Sequence, residues 1–387
     1  MTSTLRQGPV GHRERLLAPD LARGAMLALI AVANSAVYLY GRPYGIRQHV
    51  IEHDLPDRVT SALSMMLVEV RGYPMFAALF GYGLVQIWNR RRDDDEGRRV
   101  LRRRGLWLVV FGAVHGALLF SGDILGLYGL IGLVFVRLLR VRDRTLLLLA
   151  AAWMVPVAAS AAVVYTTPYG SAERTFFWSF AEPDPLTALT LRPVEWLMTP
   201  FGMLGVVAAA LVGMWAARRN LLTAPDRLVR QAALWGPLTG ILGGLPVGLV
   251  AGGFLTVGDE GTMMLFNALH IVTGVAGGLG YAALMSLLAQ RIGARRGPVV
   301  RALAACGECS MTCYLLQSAV FVALLAPYTA GLGGTLGSAA TAGLALATWA
   351  ATVVAADLMR RAGHRGPAET LLRRLVYGRG RKPTGRG

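Results

Sequence analysis

The chain lacks most of what a soluble or disulfide-built protein relies on. Charged residues make up only 16% of its 387 positions, and among 39 basic residues Lys382 is the one lysine. No polar stretch is long enough to form a separate soluble domain, which argues for a single membrane domain. Three cysteines exclude a disulfide framework. Cys306, Cys309 and Cys313 are spaced along one stripe of a helix. With no fourth ligand close by they read as small packing residues, and no metal site is expected. The first apolar run ends in Tyr38, Leu39 and Tyr40, without the small-residue pattern of a cleavage site, and so reads as a retained helix. Apolar–polar alternation of period two is absent, which excludes a membrane β-barrel. No internal repeat and no matched pair of broken helices is visible, which weakens a secondary-transporter assignment.

What the chain has is apolar length. Hydrophobic residues reach 54%, in about ten runs able to cross a hydrocarbon core of about 30 Å as helices. These runs are 21–40, 66–88, 104–120, 123–139, 145–165, 196–217, 231–256, 263–290, 308–328 and 335–357. The second run extends back toward residue 58, with a kink expected at Pro74. The third and fourth are joined through Ser121 and Gly122 as a tight hairpin. The net charge is +17, which in a soluble chain would suggest nucleic acid. Here the basic residues instead cluster at the ends of apolar runs. Numbering the connections alternately, one set holds only Arg42, Arg47, Arg58, Arg71, Arg174 and Arg192, while the other holds the remaining 33 basic residues. Lys and Arg resist translocation. The expectation is an all-α polytopic transmembrane helical bundle of about ten spans with both termini in the cytoplasm. It comprises an N-terminal tail (1–20), a membrane domain (21–357) and a basic C-terminal tail (358–387). Its partner would be a bilayer with anionic headgroups, not nucleic acid. Arginine in place of lysine, with abundant Ala, Gly, Leu and Val, suggests a GC-rich bacterium and hence the bacterial plasma membrane.

Glycines recur at helix-packing spacing: Gly126, Gly129 and Gly132; Gly240 with Gly244; Gly248 with Gly252; and Gly274 to Gly280. Such rows let helices approach closely in lipid. Two outer connections, 41–58 and 166–195, are long, and the second is aromatic. It reads as a headgroup-level belt, with a cover over a cavity as the alternative.

Ionisable groups within apolar runs are functional candidates because burying charge in hydrocarbon is costly. His12 and His364 fall in cytoplasmic tails, and His49 and His53 in the first outer connection. His115, Asp123, His270, Asn34, Glu69 and Arg71 share the outer half of the bundle. His115 and Asp123 flank the hairpin turn, where a carboxylate can orient an imidazole for general-base work. Glu69 and Arg71, two apart, cannot face each other on a helix, so each needs a partner elsewhere. Asp20 and Arg23 share a face at the start of the first helix, and Tyr314 and Gln317 lie in the ninth run. A purely structural polar cluster is the competing reading for all of these.

Several ordered motifs carry a resemblance. They are Asp20-Leu-Ala-Arg23-Gly24 with Asn34, Arg71-Gly-Tyr-Pro-Met-Phe76 followed by Leu79-Phe80-Gly81-Tyr-Gly83, and Arg103-Arg104 leading to His115 and Ser121-Gly122-Asp123. Met311-Thr-Cys-Tyr314-Leu-Leu-Gln317-Ser318 and Gly366-Pro367 through Arg373-Arg374 complete the set. Together the chain resembles the bacterial YeiB-like family, a membrane domain of unknown function. That family is distantly similar to membrane acyltransferases of the acyltransferase-3 and heparan-glucosaminide acetyltransferase superfamily. The resemblance implies no permanently bound cofactor, acyl-coenzyme A as donor, and a small-molecule or glycan acceptor outside the cytoplasm. It further implies an essential histidine after the first span, for which His49 and His53 are candidates beside His115. The basic residues at 98–104 would suit donor phosphates. Two functional classes stay open: an acyltransferase, and a transporter or efflux component whose substrate or proton site is the outer-half cluster.

Overall fold

The computed structural model describes residues 16–91, 93–164, 170–294 and 296–378. The terminal stretches 1–15 and 379–387, with His12 and Lys382, lie outside the described residues, as does 165–169 at the end of the fifth apolar run. Among the described residues fourteen α-helices follow in order: α1 (Leu17–Ala36), α2 (Leu55–Leu67), α3 (Gly72–Asn89), α4 (Asp94–Leu118), α5 (Leu125–Phe135), α6 (Asp143–Val164), α7 (Pro185–Gly202), α8 (Gly205–Arg218), α9 (Arg227–Ala251), α10 (Glu260–Ile292), α11 (Pro298–Glu308), α12 (Ser310–Leu325), α13 (Ser338–Arg361) and α14 (Pro367–Tyr377). Among the described residues, strand pairing is limited to two isolated bridges from Tyr44, to Val50 and to Ser171. Local sequence explains the helix starts. Asp93, Asp184, Asp226 and Asp259 cap α4, α7, α9 and α10 by accepting from backbone N–H groups that helix geometry leaves unpaired. Proline opens α2, α7, α11 and α14, where its missing N–H costs nothing.

Among the described residues, six helices are by length and composition able to cross a membrane, or up to eight if each of two bent pairs forms one span. The chain is thus a polytopic helical bundle of membrane type, and the count of about ten expected from apolar runs is not reached on this measure. The two missing runs are the hairpin. The N-terminal half of α4 carries Arg98, Arg99 and Arg102 to Arg104, and α5 with its following turn covers only Leu125–Leu138. Fourteen residues of helix rise about 21 Å, short of a hydrocarbon core.

Two runs that look continuous in sequence are interrupted, and a third is bent at its start. The second breaks between Leu67 and Gly72, where Val70 has φ +61°. Pro74 sits harmlessly in the first turn of α3, so the expected kink is a break one turn earlier. The pairs α7–α8 and α11–α12 bend by 58° and 84°. The sequence shows no matched pair of broken helices, and neither of these bends was visible in it. Hydropathy registers apolar length and not backbone direction, so a bend inside an apolar run leaves no mark on it.

The helices meet at glycines. A methyl group on Gly24 of α1 would lie 2.0 Å from the Leu303 carbonyl oxygen of α11, and one on Gly81 of α3 would lie 2.1 Å from the Ala210 oxygen of α8. Gly236 and Gly240 of α9 abut Gly280 and Gly277 of α10 in the same way. Such contacts replace a hydrophobic driving force that lipid does not supply between helices. The three cysteines are free and buried around the α11–α12 bend.

Candidate functional site

Polar chemistry gathers in three places. The first is a cavity of about 340 Å³ enclosed by α1, α3, α4, α5, α11, α12 and α14. Its mouth belongs to the strongly basic set of connections, with Arg23, Arg90, Arg91, Arg104, Arg365 and Arg373 among its walls. Inward the walls become apolar and aromatic: Leu27, Ile30, Phe76, Phe80, Leu108, Tyr128 and finally Ile124, Leu125 and Tyr314. Tyr128 stacks between Phe76 and Phe80, with ring centroids 5.6 and 5.3 Å away, and its hydroxyl donates to the Tyr73 carbonyl. At the mouth Arg23 donates to Asp20 over 3.0 Å. Glu369 of α14 accepts from the Met311 and Thr312 amides at 2.7 and 3.1 Å, which ties α14 to the start of α12.

The second place adjoins the inner end of that cavity. His115 Nδ1 lies 2.8 Å from Asp123 Oδ1, and the Gly126 amide donates to the other carboxylate oxygen at 2.7 Å. Both side chains are sealed, at 1% and 0% exposure. A carboxylate acceptor makes Nδ1 the protonated nitrogen, so Nε2 is left with its lone pair. Nε2 is buried without a hydrogen-bond partner. The Tyr314 ring stands 4.9 Å from the imidazole, between it and the cavity.

The hairpin turn that holds this pair is anchored in part by Glu195, Ser179 and Trp196, which the sequence reading did not single out. Ser121 and Ser179 both donate to Glu195 Oε2 at 2.6 Å, and the Ser179 amide donates to Oε1 at 2.8 Å. Trp196 fills the notch left by Gly116 and Gly126. Arg192, 1% exposed, donates to the Leu118 carbonyl at 2.6 Å and to the Tyr328 hydroxyl. The described part of the second outer loop packs onto this turn: Phe177 stacks toward Phe120, and Phe180 meets Tyr38 edge-on at 4.7 Å. The loop thus closes over the turn, and none of its described residues lines the cavity. Arg174 of the same loop donates to the Leu39 carbonyl, and burial lowers its pKa from the ordinary guanidinium value.

The third place surrounds the α2–α3 break. Arg71, 1% exposed, donates to the Met65 and Glu69 carbonyls at 2.9 and 2.5 Å and to the Gly240 carbonyl of α9. Breaking a helix strips carbonyls of their partners, and the guanidinium replaces them. Its Nη1 is also 3.3 Å from His270 Nδ1. Glu69 accepts from Arg47 Nε at 3.1 Å and lies 3.7 Å from His49 and 3.9 Å from His270.

The sequence candidates therefore divide. His115, Asp123 and Tyr314 come together beside the cavity, with Asp20 and Arg23 at its mouth. Glu69, Arg71, His270 and His49 come together at the helix break. Gln317 turns to Thr352 at 3.3 Å. His53 is exposed and Asn34 half-buried, and neither joins these contacts. Arg47 went unremarked, although it is one of only six arginines in the sparse set and its rarity there was the available signal. Glu195 was visible as an acid beside an apolar run. Of the cavity arginines, Arg23 and Arg104 belonged to candidate groups, while Arg90, Arg91 and Arg365 were read only as a signal of topology.

Comparison with known proteins extends the geometry. Residues 216–379 match the family described as "Protein of unknown function (DUF418)". Over 95% of its length the chain is 24% identical to the uncharacterized protein YxaH of Bacillus subtilis (strain 168), covering 96% of that protein. It is 34% identical over 33% of its length to the uncharacterized protein YeiB of Escherichia coli (strain K12), covering 32% of that protein. The chain is thus similar to YxaH along nearly its whole length and to YeiB over about a third, and the DUF418 match lies in its C-terminal part.

Proposed function

We propose that the protein is a multi-pass acyltransferase of the bacterial plasma membrane, with both termini in the cytoplasm and the α4–α5 hairpin inserted beside the spanning helices. The observation that carries this reading is the cavity, with an arginine-rich mouth, an apolar interior, and an inner end at Tyr314 beside the His115–Asp123 pair. Such a gradient suits an amphiphilic donor with phosphates at one end and an acyl group at the other, which is the chemistry of an acyl-coenzyme A. Arginine forks match phosphate oxygens at the mouth. The acyl chain gains from the apolar walls. His115 Nε2, its tautomer set by Asp123, takes the proton from an acceptor hydroxyl or amine. The acceptor atom adds to the thioester carbonyl, the carbon–sulfur bond breaks, and the thiolate leaves with the proton. Tyr314 must swing aside for the two to meet.

The reading is tested by thermal unfolding of the purified protein with coenzyme A esters, free coenzyme A and neutral solutes. A saturable rise with the esters supports it, since a ligand bound only to the folded state raises apparent stability. The reading fails if the esters give none, or if His115→Ala transfers acyl groups as the wild type does. A second reading, a transporter or efflux component, is favoured by the broken α2–α3 run and the two bent pairs, because interrupted helices border many transport sites. Introduced cysteines beside Asn34 and His270 would then be labelled from both faces in turn, and labelling from one face alone counts against it.

A further inference from the structure

A second basic hollow adjoins the cavity mouth. It has a volume of about 280 Å³ and is walled by Pro298 and Arg301 of α11 and by Asp357, Arg360 and Arg361 of α13. Arg360 lines both hollows, whereas Arg301 and Arg361 line this one and not the cavity. Asp357 is the one acid in its wall. Its Oδ1 accepts from Arg360 Nε and Nη2 at 3.0 and 2.7 Å, and its Oδ2 accepts from Arg361 Nε at 2.7 Å. Arg301, in the first turn of α11, is exposed, and its side chain makes no hydrogen bond or ion pair among the described residues. Three guanidiniums thus face one carboxylate, an excess of two positive charges. Each guanidinium has five N–H donors, of which Asp357 engages two on Arg360, one on Arg361 and none on Arg301.

The surroundings of the hollow are those of a membrane boundary. The helix α13 is long and apolar enough to cross a bilayer. Val354, Leu358 and Arg361 are four and three residues apart and so follow one another along one face of it. Both apolar side chains are exposed, and so is Val299, the neighbour of Pro298 at the start of α11. Along this face bare hydrocarbon leads up to guanidinium, which is the order of acyl chain and phosphate in a phospholipid. A free phosphate ion would have no use for the apolar approach. The positive end of α11 adds to the same field. Basic pockets between helices at a membrane surface suit anionic headgroups.

We propose that the hollow between α11 and α13 is a binding site for the headgroup phosphate of an anionic phospholipid, drawn from the leaflet on the strongly basic side. Arg301 and Arg361 fork onto the phosphate oxygens, and the acyl chains run along Val354 and Leu358. The bound lipid fastens the end of α13 to the start of α11, whose other end, Gly307 and Glu308, lines the cavity. The site stands whether or not that cavity takes an acyl donor.

The test uses the full chain, delipidated in a neutral detergent. Thermal unfolding is followed against phosphatidylglycerol, phosphatidylcholine and inorganic phosphate, and lipid retained by the intact protein is counted by native mass spectrometry. Phosphatidylglycerol is expected to raise the midpoint saturably and to be retained, unlike the other two. Arg301→Gln should raise the half-saturating lipid concentration about fivefold, the share of one guanidinium at a membrane surface. Arg301→Gln combined with Arg361→Gln should raise it about twenty-five-fold. Arg301→Gln removes no internal contact, so it decides alone if the double variant does not fold. Equal responses to phosphatidylglycerol and phosphatidylcholine overturn the anionic assignment. Saturation by inorganic phosphate at the same concentrations overturns the lipid assignment. An unchanged half-saturating concentration in Arg301→Gln overturns the site.

Discussion

His115 and His270 look alike in the sequence and differ in the folded chain. Each lies inside an apolar run, a similar distance from its outer end, and each is fully buried. His115 finds a carboxylate eight residues away at 2.8 Å, itself held by a backbone amide. His270 finds the guanidinium of Arg71, 199 residues away. The first arrangement directs Nδ1 at a carboxylate and leaves Nε2 without a partner, whereas the second makes a ring nitrogen an acceptor for a guanidinium, with the Glu69 carboxylate 3.9 Å from the other. Depth in a membrane therefore does not assign a role to a histidine; the sign of its partner does.

The comparison can be broken or sharpened by substitution. The largest effect is expected at the His270 site: Arg71→Ala strips three carbonyls and an imidazole of their donor, costing about 3–5 kcal/mol. Thermal unfolding in micelles measures it, and a shift no larger than that of an exposed control would show that the guanidinium does not hold the break. At the His115 site Asp123→Ala leaves two buried N–H groups unpaired, for about 2–3 kcal/mol. The same variant should depress acyl transfer through loss of the tautomer, so rescue by Asp123→Asn of stability but not of activity would separate the two roles. Gly116→Ala places a methyl 2.3 Å from the Trp196 ring, and such overpacking costs about 1–3 kcal/mol. This would loosen the His115 turn while leaving the stability lost in Arg71→Ala unchanged, since the two places are separate.

Smaller effects lie outside both sites. Hydrogen bonds from Thr187 and Thr262 hold the exposed caps Asp184 and Asp259 below the ordinary carboxylate range. A depressed folded-state pKa contributes stability above the unfolded value and loses it as pH falls through the folded one. The capping contribution should therefore disappear on acidification below that range, and Asp184→Asn should flatten the acid limb of the thermal midpoint. The smallest effect is expected for His53→Ala, since an exposed histidine outside both clusters should change stability by less than about 0.5 kcal/mol. Loss of acyl transfer in that variant would return the catalytic histidine to the first outer loop.

Much of this was legible beforehand, for a definite reason. The hairpin pair could be read because His115 and Asp123 are close along the chain and a turn of two small residues lies between them. The helix starts could be read from aspartate and proline at their caps. The helix break could not, because the local sequence of Val68 to Arg71 is equally compatible with a continuous helix whose two charges find partners elsewhere. What interrupts it is the Arg71 guanidinium satisfying carbonyls of α2 and α9, a contact that spans 169 residues. The two bends escaped for the same reason, and the Glu195–Ser121–Ser179 lock depends on a loop folding back over a turn.

The sequence by itself determined the class of the protein, its helical content and the asymmetric placement of its arginines, because these follow from composition and from the uniform requirement that backbone groups be paired in hydrocarbon. Only the tertiary structure decided which buried charges meet, which arginines line a cavity and which merely mark a boundary. Those outcomes depend on helix rotation and on close contacts at glycines, and a linear pattern of apolar runs carries neither.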